Sequence, residues 1–295
     1  MTPSQFTQIG ILGSGTMGAG IAQVCAQSGY AVLLYDIEQA FLDRARQQVQ
    51  GGLQKAVEKG KLPAEKLEGA LQKVAFHMGL PALAECDLII EAVPEDLELK
   101  KNLFGQLDKI CQPKTILASN TSSLSITALG GATQRPQQVA GLHFFNPVPS
   151  MRLVEIIQGQ RTAGSTVETL QTFAKSLDKT TVIAKDTPGF IVNRVARPFY
   201  GEALKILGEH GSDPAQEQNM ISTIDNVLKE AGGFKMGPFE LMDLIGIDVN
   251  FAVTQSVWNA YFQESRYRPH PIQQRMVNAG LLGRKTGEGF YKYES

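Results

Sequence analysis

Cysteine is scarce in this chain. Its three residues, Cys25, Cys86 and Cys111, are odd in number and far apart, with no CxxC spacing and no grouping with histidine. That speaks against a disulfide framework or a cysteine-based metal site, and no metal is expected. Cys25 and Cys86 lie in apolar runs and read as buried, reduced thiols, which suits a reducing compartment. Long hydrophobic runs are also missing: nothing approaches the roughly 18 apolar residues of a membrane span. Met1 to Gln8 is polar, without the basic and apolar regions of a secretory signal. A cytoplasmic protein with no membrane partner is therefore expected. Nor does one sign of charge dominate. With 28 Lys and Arg against 29 Asp and Glu, the net charge is -1. Bulk electrostatics offer no case for nucleic acid, although a local basic patch could serve a phosphorylated ligand. There is no internal repeat and no low-complexity tract.

What is present is an ordinary globular composition, 43% hydrophobic and 19% charged over 295 residues, long enough for two cores. Residues 9–13 (IGILG) and 31–36 (AVLLYD) are short apolar runs. The helical stretch between them, from about Met17 to Ser28, closes at Gly29. Strand, glycine turn, helix and strand make a βαβ unit, and continuously apolar strands suit a parallel sheet covered on both faces. Residues 38–73 read as a charged helical insertion broken near Gly60 and Pro63. Strand-like runs recur at 87–92, 115–119, 139–145, 153–158 and 180–185. The alternation predicts an α/β fold, a Rossmann-type, doubly wound and mostly parallel sheet. After Pro188-Gly189 the pattern turns helical, over 190–207, 215–231 and 238–263 with an interruption near Gly246. The expected division is residues 1–186, a dinucleotide-binding domain, and residues 187–295, a smaller all-helical domain.

Gly13-Ser14-Gly15-Thr16-Met17-Gly18 matches G-x-G-x-x-G. Alone the hexamer is a weak signal. Here it follows a strand, opens a helix, and is answered 18 residues later by Asp36 at the end of the second strand. Gly13 permits the tight turn, Gly15 lets the backbone approach a pyrophosphate, and Gly18 allows close helix–sheet packing. The helix N-terminus, with Thr16 and Met17, faces the phosphates. Asp36 suits ribose hydroxyls and repels a 2′-phosphate, so NAD is favoured over NADP, with Arg44 the residue that speaks for the latter.

Of the four histidines, His77, His210 and His270 sit in polar or turn-like stretches and are expected at the surface. His143 lies in GLHFFNP at the carboxyl end of an apolar strand, where open α/β sheets gather their ligands. Taken singly it reads as a half-buried structural residue. Glu155 changes that reading, because a carboxylate inside the apolar run LVEII is costly to bury unless paired, and an imidazole is the obvious partner.

SNTSSL (119–124), HFFNPV (143–148), KDTPGFIVNR (185–194), MGPFELMDLIG (236–246) and LGRKTGEGFY (282–291) appear in order along nearly the whole chain. Together they resemble the L-3-hydroxyacyl-CoA dehydrogenases, including the bacterial 3-hydroxybutyryl-CoA dehydrogenases. The resemblance implies His143 as catalytic base, Glu155 as its orienting acid, and Ser122 and Asn193 as hydrogen-bonding partners of the substrate. It further implies cofactor contacts at Glu95, Lys100, Asn120, Asn146 and Lys285, and a homodimer formed through the helical domain. From sequence alone Lys100 is an ordinary helix-surface lysine, and Lys285 is equally a surface residue. Lys55 and Lys59 lie four residues apart on one helix face. By spacing that is a solvated face; the resemblance turns it towards the phosphates of CoA.

The sequence is compatible with other activities. A relative acting on free 3-hydroxy acids would use a lysine as acid/base, against which HFFNP with its downstream glutamate argues. A non-catalytic NAD-binding structural protein is a further class. The C-terminal segment also looks like enzymes that take 3-hydroxyadipyl-CoA, in which case Arg266 and Arg268 become candidates for a distal carboxylate, although by position they read first as surface arginines.

Overall fold

The structure, a computed structural model, describes residues 6–209 and 213–294. Contacts divide the chain into two compact units, Met1–Thr187 and Pro188–Ser295. His210 lies outside the described residues.

The first unit is built on eight strands: β1 (Gln8–Leu12), β2 (Ala31–Tyr35), β3 (Val74–His77), β4 (Leu88–Glu91), β5 (Ile116–Ser119), β6 (Val139–Phe144), β7 (Leu153–Gln158) and β8 (Thr180–Lys185). Their order in the sheet is β3-β2-β1-β4-β5-β6-β7-β8. Every pairing is parallel except β6 with β7. The chain steps outwards from β1 in both directions, so the order reverses between β1 and β4, where such sheets form ligand crevices. Helices α1 (Thr16–Gln27), α2 (Gln39–Glu58), α3 (Leu67–Gln72), α4 (Leu97–Ile110), α5 (Ile126–Gly131) and α6 (Gly164–Ser176) connect the strands. Ile9, Ile11, Leu34, Leu88 and Ile90 are wholly buried, as expected for strands covered on both faces. All three cysteines are free and buried. Burial pushes the Cys86 thiol up to about 12.

Two features depart from the sequence reading. The run at 74–77 was not expected to pair, yet β3 forms the sheet edge beside β2. His77, on that strand, is half-buried rather than a surface residue. His270 is also half-buried, and its ring accepts from the Ile272 amide as a helix cap.

The second unit comprises α7 (Val192–Glu209), α8 (Pro214–Glu230), α9 (Pro238–Ile245), α10 (Ile247–Ala260) and α11 (Pro271–Asn278). Tyr200, Leu204, Leu207, Phe239, Met242 and Ile247 form its core. Two buried aspartates organise the C-terminal segments MGPFELMDLIG and LGRKTGEGFY. Asp225 accepts from the amides of Phe239 and Glu240 at 3.0 and 2.9 Å, satisfying the start of α9. Asp243 accepts from the amides of Phe290 and Tyr291 and from the Tyr293 hydroxyl, pinning the C-terminal segment to α9. Among the described residues no helix is long and apolar enough to cross a membrane.

Candidate active site

The chemistry-bearing residues of the first unit collect at one edge of its sheet, at the carboxyl ends of the parallel strands. Gly13 follows β1, Asp36 follows β2, Glu91 ends β4, Ser122 follows β5 and His143 stands one residue before the end of β6.

The loop after β1 has the geometry the glycine pattern requires. Gly13 adopts φ +90°, and a Cβ there would lie 2.6 Å from the Ala92 carbonyl oxygen. A Cβ on Gly18 would lie 1.8 Å from the Gly13 carbonyl oxygen, so the helix closes on the loop only because that position is bare. Around Gly15 a Cβ would meet nothing within 4 Å. No side chain caps the N-terminus of α1 and no acid sits in its first turn, which leaves its amides and dipole for an anion. A hollow of about 720 Å³ opens here, lined by Gly15, Thr16, Met17, Asp36, Arg44 and Val93 among others. Asp36 is held beside it, accepting from the amide and hydroxyl of Ser14, both at 2.7 Å. Open space at Gly15, bare amides and a fixed carboxylate fit a dinucleotide diphosphate and its ribose.

On the other side of the strand-order reversal lies a network centred on Glu91, a residue the sequence reading missed, and joining it to Glu95 and Lys100. Glu91 is wholly buried. Its carboxylate accepts from Lys100 Nζ at 2.5 Å, from the Val93 amide at 2.7 Å and from Ser119 Oγ at 2.6 Å. Burial dominates and raises its pKa, against the pull of the Lys100 charge. Lys100 is 1% exposed, not the helix-surface lysine that sequence alone suggested. Its ammonium also meets Glu95 at 3.3 Å. Glu95 in turn accepts from Thr121 Oγ1 at 2.6 Å and from the Ser122 amide at 3.0 Å. Burial works to raise the Glu95 pKa, but Lys100 and these hydrogen bonds outweigh it and hold the carboxyl below its usual range. Glu91, Lys100 and Glu95 thus hold the loop that carries Ser122. Asn120, in the same loop, accepts from the Phe144 amide at 2.8 Å and ties β5 to the residue after His143.

His143 and Glu155 are direct partners in the antiparallel register of β6 and β7. Nδ1 of His143 lies 2.8 Å from Oε2 of Glu155. The carboxylate has no exposed surface and the histidine is 5% exposed. Phe145 packs its ring against the imidazole, centroids 4.4 Å apart. The chain reversal after β6 contains a cis Asn146-Pro147 bond. Asn146, Pro147 and Lys55 line an adjoining hollow of about 370 Å³, which shares Thr16 and Gln48 with the larger one. Lys59, at the C-terminal cap of α2, is exposed.

Asp186 of the KDTPG segment is a further residue the sequence reading did not single out. It accepts from Ser125 Oγ and from the Ile126 and Thr127 amides, at 2.9, 3.0 and 2.7 Å, fixing the start of α5 directly after the Ser122 loop. In the second unit, Asn193 sits half-buried in the first turn of α7. Lys285 is partly exposed, with its ammonium 2.6 Å from Asp248.

Residues 8–187 match the family described as 3-hydroxyacyl-CoA dehydrogenase, NAD binding domain, and residues 189–293 match 3-hydroxyacyl-CoA dehydrogenase, C-terminal domain. The chain is 49% identical over 287 residues to the 3-hydroxyadipyl-CoA dehydrogenase of Escherichia coli K12, covering 97% of this chain but 59% of that relative. It is 44% identical to a probable 3-hydroxybutyryl-CoA dehydrogenase of Deinococcus radiodurans, covering 97% of this chain and 100% of that one. Among solved structures, the (S)-3-hydroxybutyryl-CoA dehydrogenase of Ralstonia eutropha superposes with a TM-score of 0.90 at 38% identity, covering 99% of this chain and all of the other.

Proposed function

This chain belongs to the 3-hydroxyacyl-CoA dehydrogenase family, and we propose that it interconverts a 3-hydroxyacyl-CoA and the 3-oxoacyl-CoA, with His143 and Glu155 as an acid–base pair. Its cofactor is NAD, and the bare α1 N-terminus with Asp36 is the place that suits it. Bound NAD⁺ supplies the acceptor for the hydride that leaves C3 of the substrate. The observation that carries the reading is the buried 2.8 Å contact between His143 Nδ1 and Glu155. With Nδ1–H donating to the carboxylate, Nε2 is the nitrogen that takes the proton of the substrate's 3-hydroxyl. Glu155 holds the ring in that tautomer and stabilises the imidazolium that forms. Ser122, steadied by Glu95, donates to the oxygen at C3, and Asn193 donates to the thioester carbonyl. In the reductive direction the imidazolium returns the proton. Glu95, Lys100, Asn120 and Asn146 complete the cofactor side, and Lys285 belongs to the same set.

For the CoA handle, Lys55 and Lys59 on α2 offer mobile cations to phosphates. The hollow beside Lys55 supports this, as does a second hollow of about 550 Å³ that shares Pro149 with it and is lined by Lys61 and Arg152.

The acyl chain is read first as the short 3-hydroxybutyryl group, supported by the full-length match to the Deinococcus relative. The E. coli relative named for 3-hydroxyadipyl-CoA supports a second reading. A non-catalytic role is disfavoured by the intact His143–Glu155 pair. A homodimer through the helical unit is supported by apolar side chains standing in solvent there, among them Val195 at 69%, Phe234 at 50% and Phe262 at 96% exposure.

The deciding experiment follows NADH absorbance with NAD⁺ and 3-hydroxybutyryl-CoA. Free 3-hydroxybutyrate should not turn over. His143→Gln should keep NADH affinity and lose about 10²–10⁴-fold in kcat. Near-normal turnover in that variant removes the assignment.

A further inference from the structure

We propose that Arg197 anchors a carboxylate at the far end of the acyl chain, which would decide between the two acyl readings in favour of the second, a 3-hydroxyacyl-CoA of a six-carbon dicarboxylic acid. The inference rests on the reading that Asn193 meets the thioester carbonyl.

Arg197 is 5% exposed, and its guanidinium touches only neutral acceptors. Nε donates to the Asn193 carbonyl at 3.1 Å; Nη1 donates to the Asn250 carbonyl at 3.0 Å and to Thr254 Oγ1 at 2.9 Å. No carboxylate among the described residues pairs with it. Burial lowers the guanidinium to about 10, opposed only by the neighbouring Tyr200. A buried cation is ordinarily paired, because its desolvation is otherwise uncompensated. Here the surroundings add to the positive charge. The solvent-exposed Arg266 and Arg268 line the same hollow beside a neutral His270, whose pKa burial lowers, and no acid lines it. The arrangement is a cationic recess that lacks its anion.

Size and position narrow the ligand. The open space is about 10 Å³, room for one water-sized group such as a carboxylate oxygen and too little for a phosphate. Nη2, which makes none of the bonds above, can donate to one carboxylate oxygen. Along α7, Arg197 follows Asn193 by four residues, so the two share a face. At 1.5 Å per residue they are separated by about 6 Å along the axis. An extended chain advances roughly 1.2 Å per bond, so the five bonds from a thioester carbon to the terminal carboxyl carbon of a six-carbon diacid also span about 6 Å. A four-carbon acyl group ends short of Arg197 and brings no charge.

The test uses the full-length enzyme with NAD⁺ and compares kcat/KM for 3-hydroxyadipyl-CoA and 3-hydroxyhexanoyl-CoA, equal in length and different only in the terminal charge. The wild type should prefer the dicarboxylic substrate by at least about tenfold. Arg197→Met should bring the ratio near one, and Arg197→Lys should leave it between the two. A wild-type ratio near one overturns the proposal whatever the variants do, and so does a high ratio that survives in Arg197→Met. No turnover of either thioester, nor of 3-hydroxybutyryl-CoA, by the wild type would sink the dehydrogenase reading itself.

Discussion

A carboxylate without exposed surface persists only where its lone pairs are filled, and at Glu91 an ammonium, an amide and a hydroxyl fill them. Glu91→Ala would leave the buried Lys100 ammonium with the Val93 carbonyl and the more distant Glu95. Removing one member of a buried pair costs about 3–5 kcal/mol, so urea unfolding of Glu91→Ala should show a loss of that order. Glu95 differs, because its pKa is held below the ordinary 4.5. A depressed carboxyl contributes stability that is present above its unfolded pKa and lost as pH falls through the lower folded one. The stability of the wild type should therefore drop more steeply below pH 4.5 than that of Glu95→Gln, as followed by denaturant midpoints at successive pH values. At this scale Glu155 was legible in the sequence, since an acid inside LVEII demands a partner. Glu91 obeys the same rule at the end of DLIIE. Lys100 was misread because its charge outweighed its phase: it shares the buried face of α4 with Phe104 and Leu107, four and seven residues on.

At the scale of elements, the turn from β1 into α1 separates two roles for glycine. The Cβ of Gly18→Ala would fall on backbone, the Gly13 carbonyl, which has no rotamer to yield. That variant should lose about 1–3 kcal/mol of stability together with cofactor affinity. Gly15→Ala meets nothing in the protein and should fold normally, yet its methyl group projects where a diphosphate would approach. Circular dichroism melts with NADH fluorescence titrations distinguish the two, and wild-type NADH affinity in Gly15→Ala would refute the assigned role. Most elements were readable because each strand is a continuous apolar run and each helix a periodic one. The β3 strand was not: four residues at a sheet edge, only one of them buried, carry too little pattern. The antiparallel pairing of β6 with β7 sets His143 against Glu155, and its one signal in the sequence is the turn-forming Asn146-Pro147-Val148-Pro149 between them.

For the whole molecule, the apolar side chains exposed on the helical unit are the basis for expecting self-association. Sedimentation should give twice the 32.1 kDa of the chain, and Val195→Glu with Phe262→Glu should shift the mass towards one chain. A monomeric wild type at micromolar concentration would remove the dimer from the proposed function.

Local order was settled by the sequence itself. Glycine spacing, apolar periodicity and the acids that close or interrupt apolar runs are short-range facts, and they specified the dinucleotide turn, the alternation of strand and helix, and the pairing demanded by Glu155. What tertiary structure decided is which distant groups share a low-dielectric interior: Lys100 turned inward onto Glu91, Asp186 capping α5, Asp225 and Asp243 gathering the C-terminal segment, and Arg197 buried among neutral acceptors. Charge in a sequence reads as a preference for water. Only packing shows where that preference is overruled, and there the cost of desolvation has to be met by a specific partner.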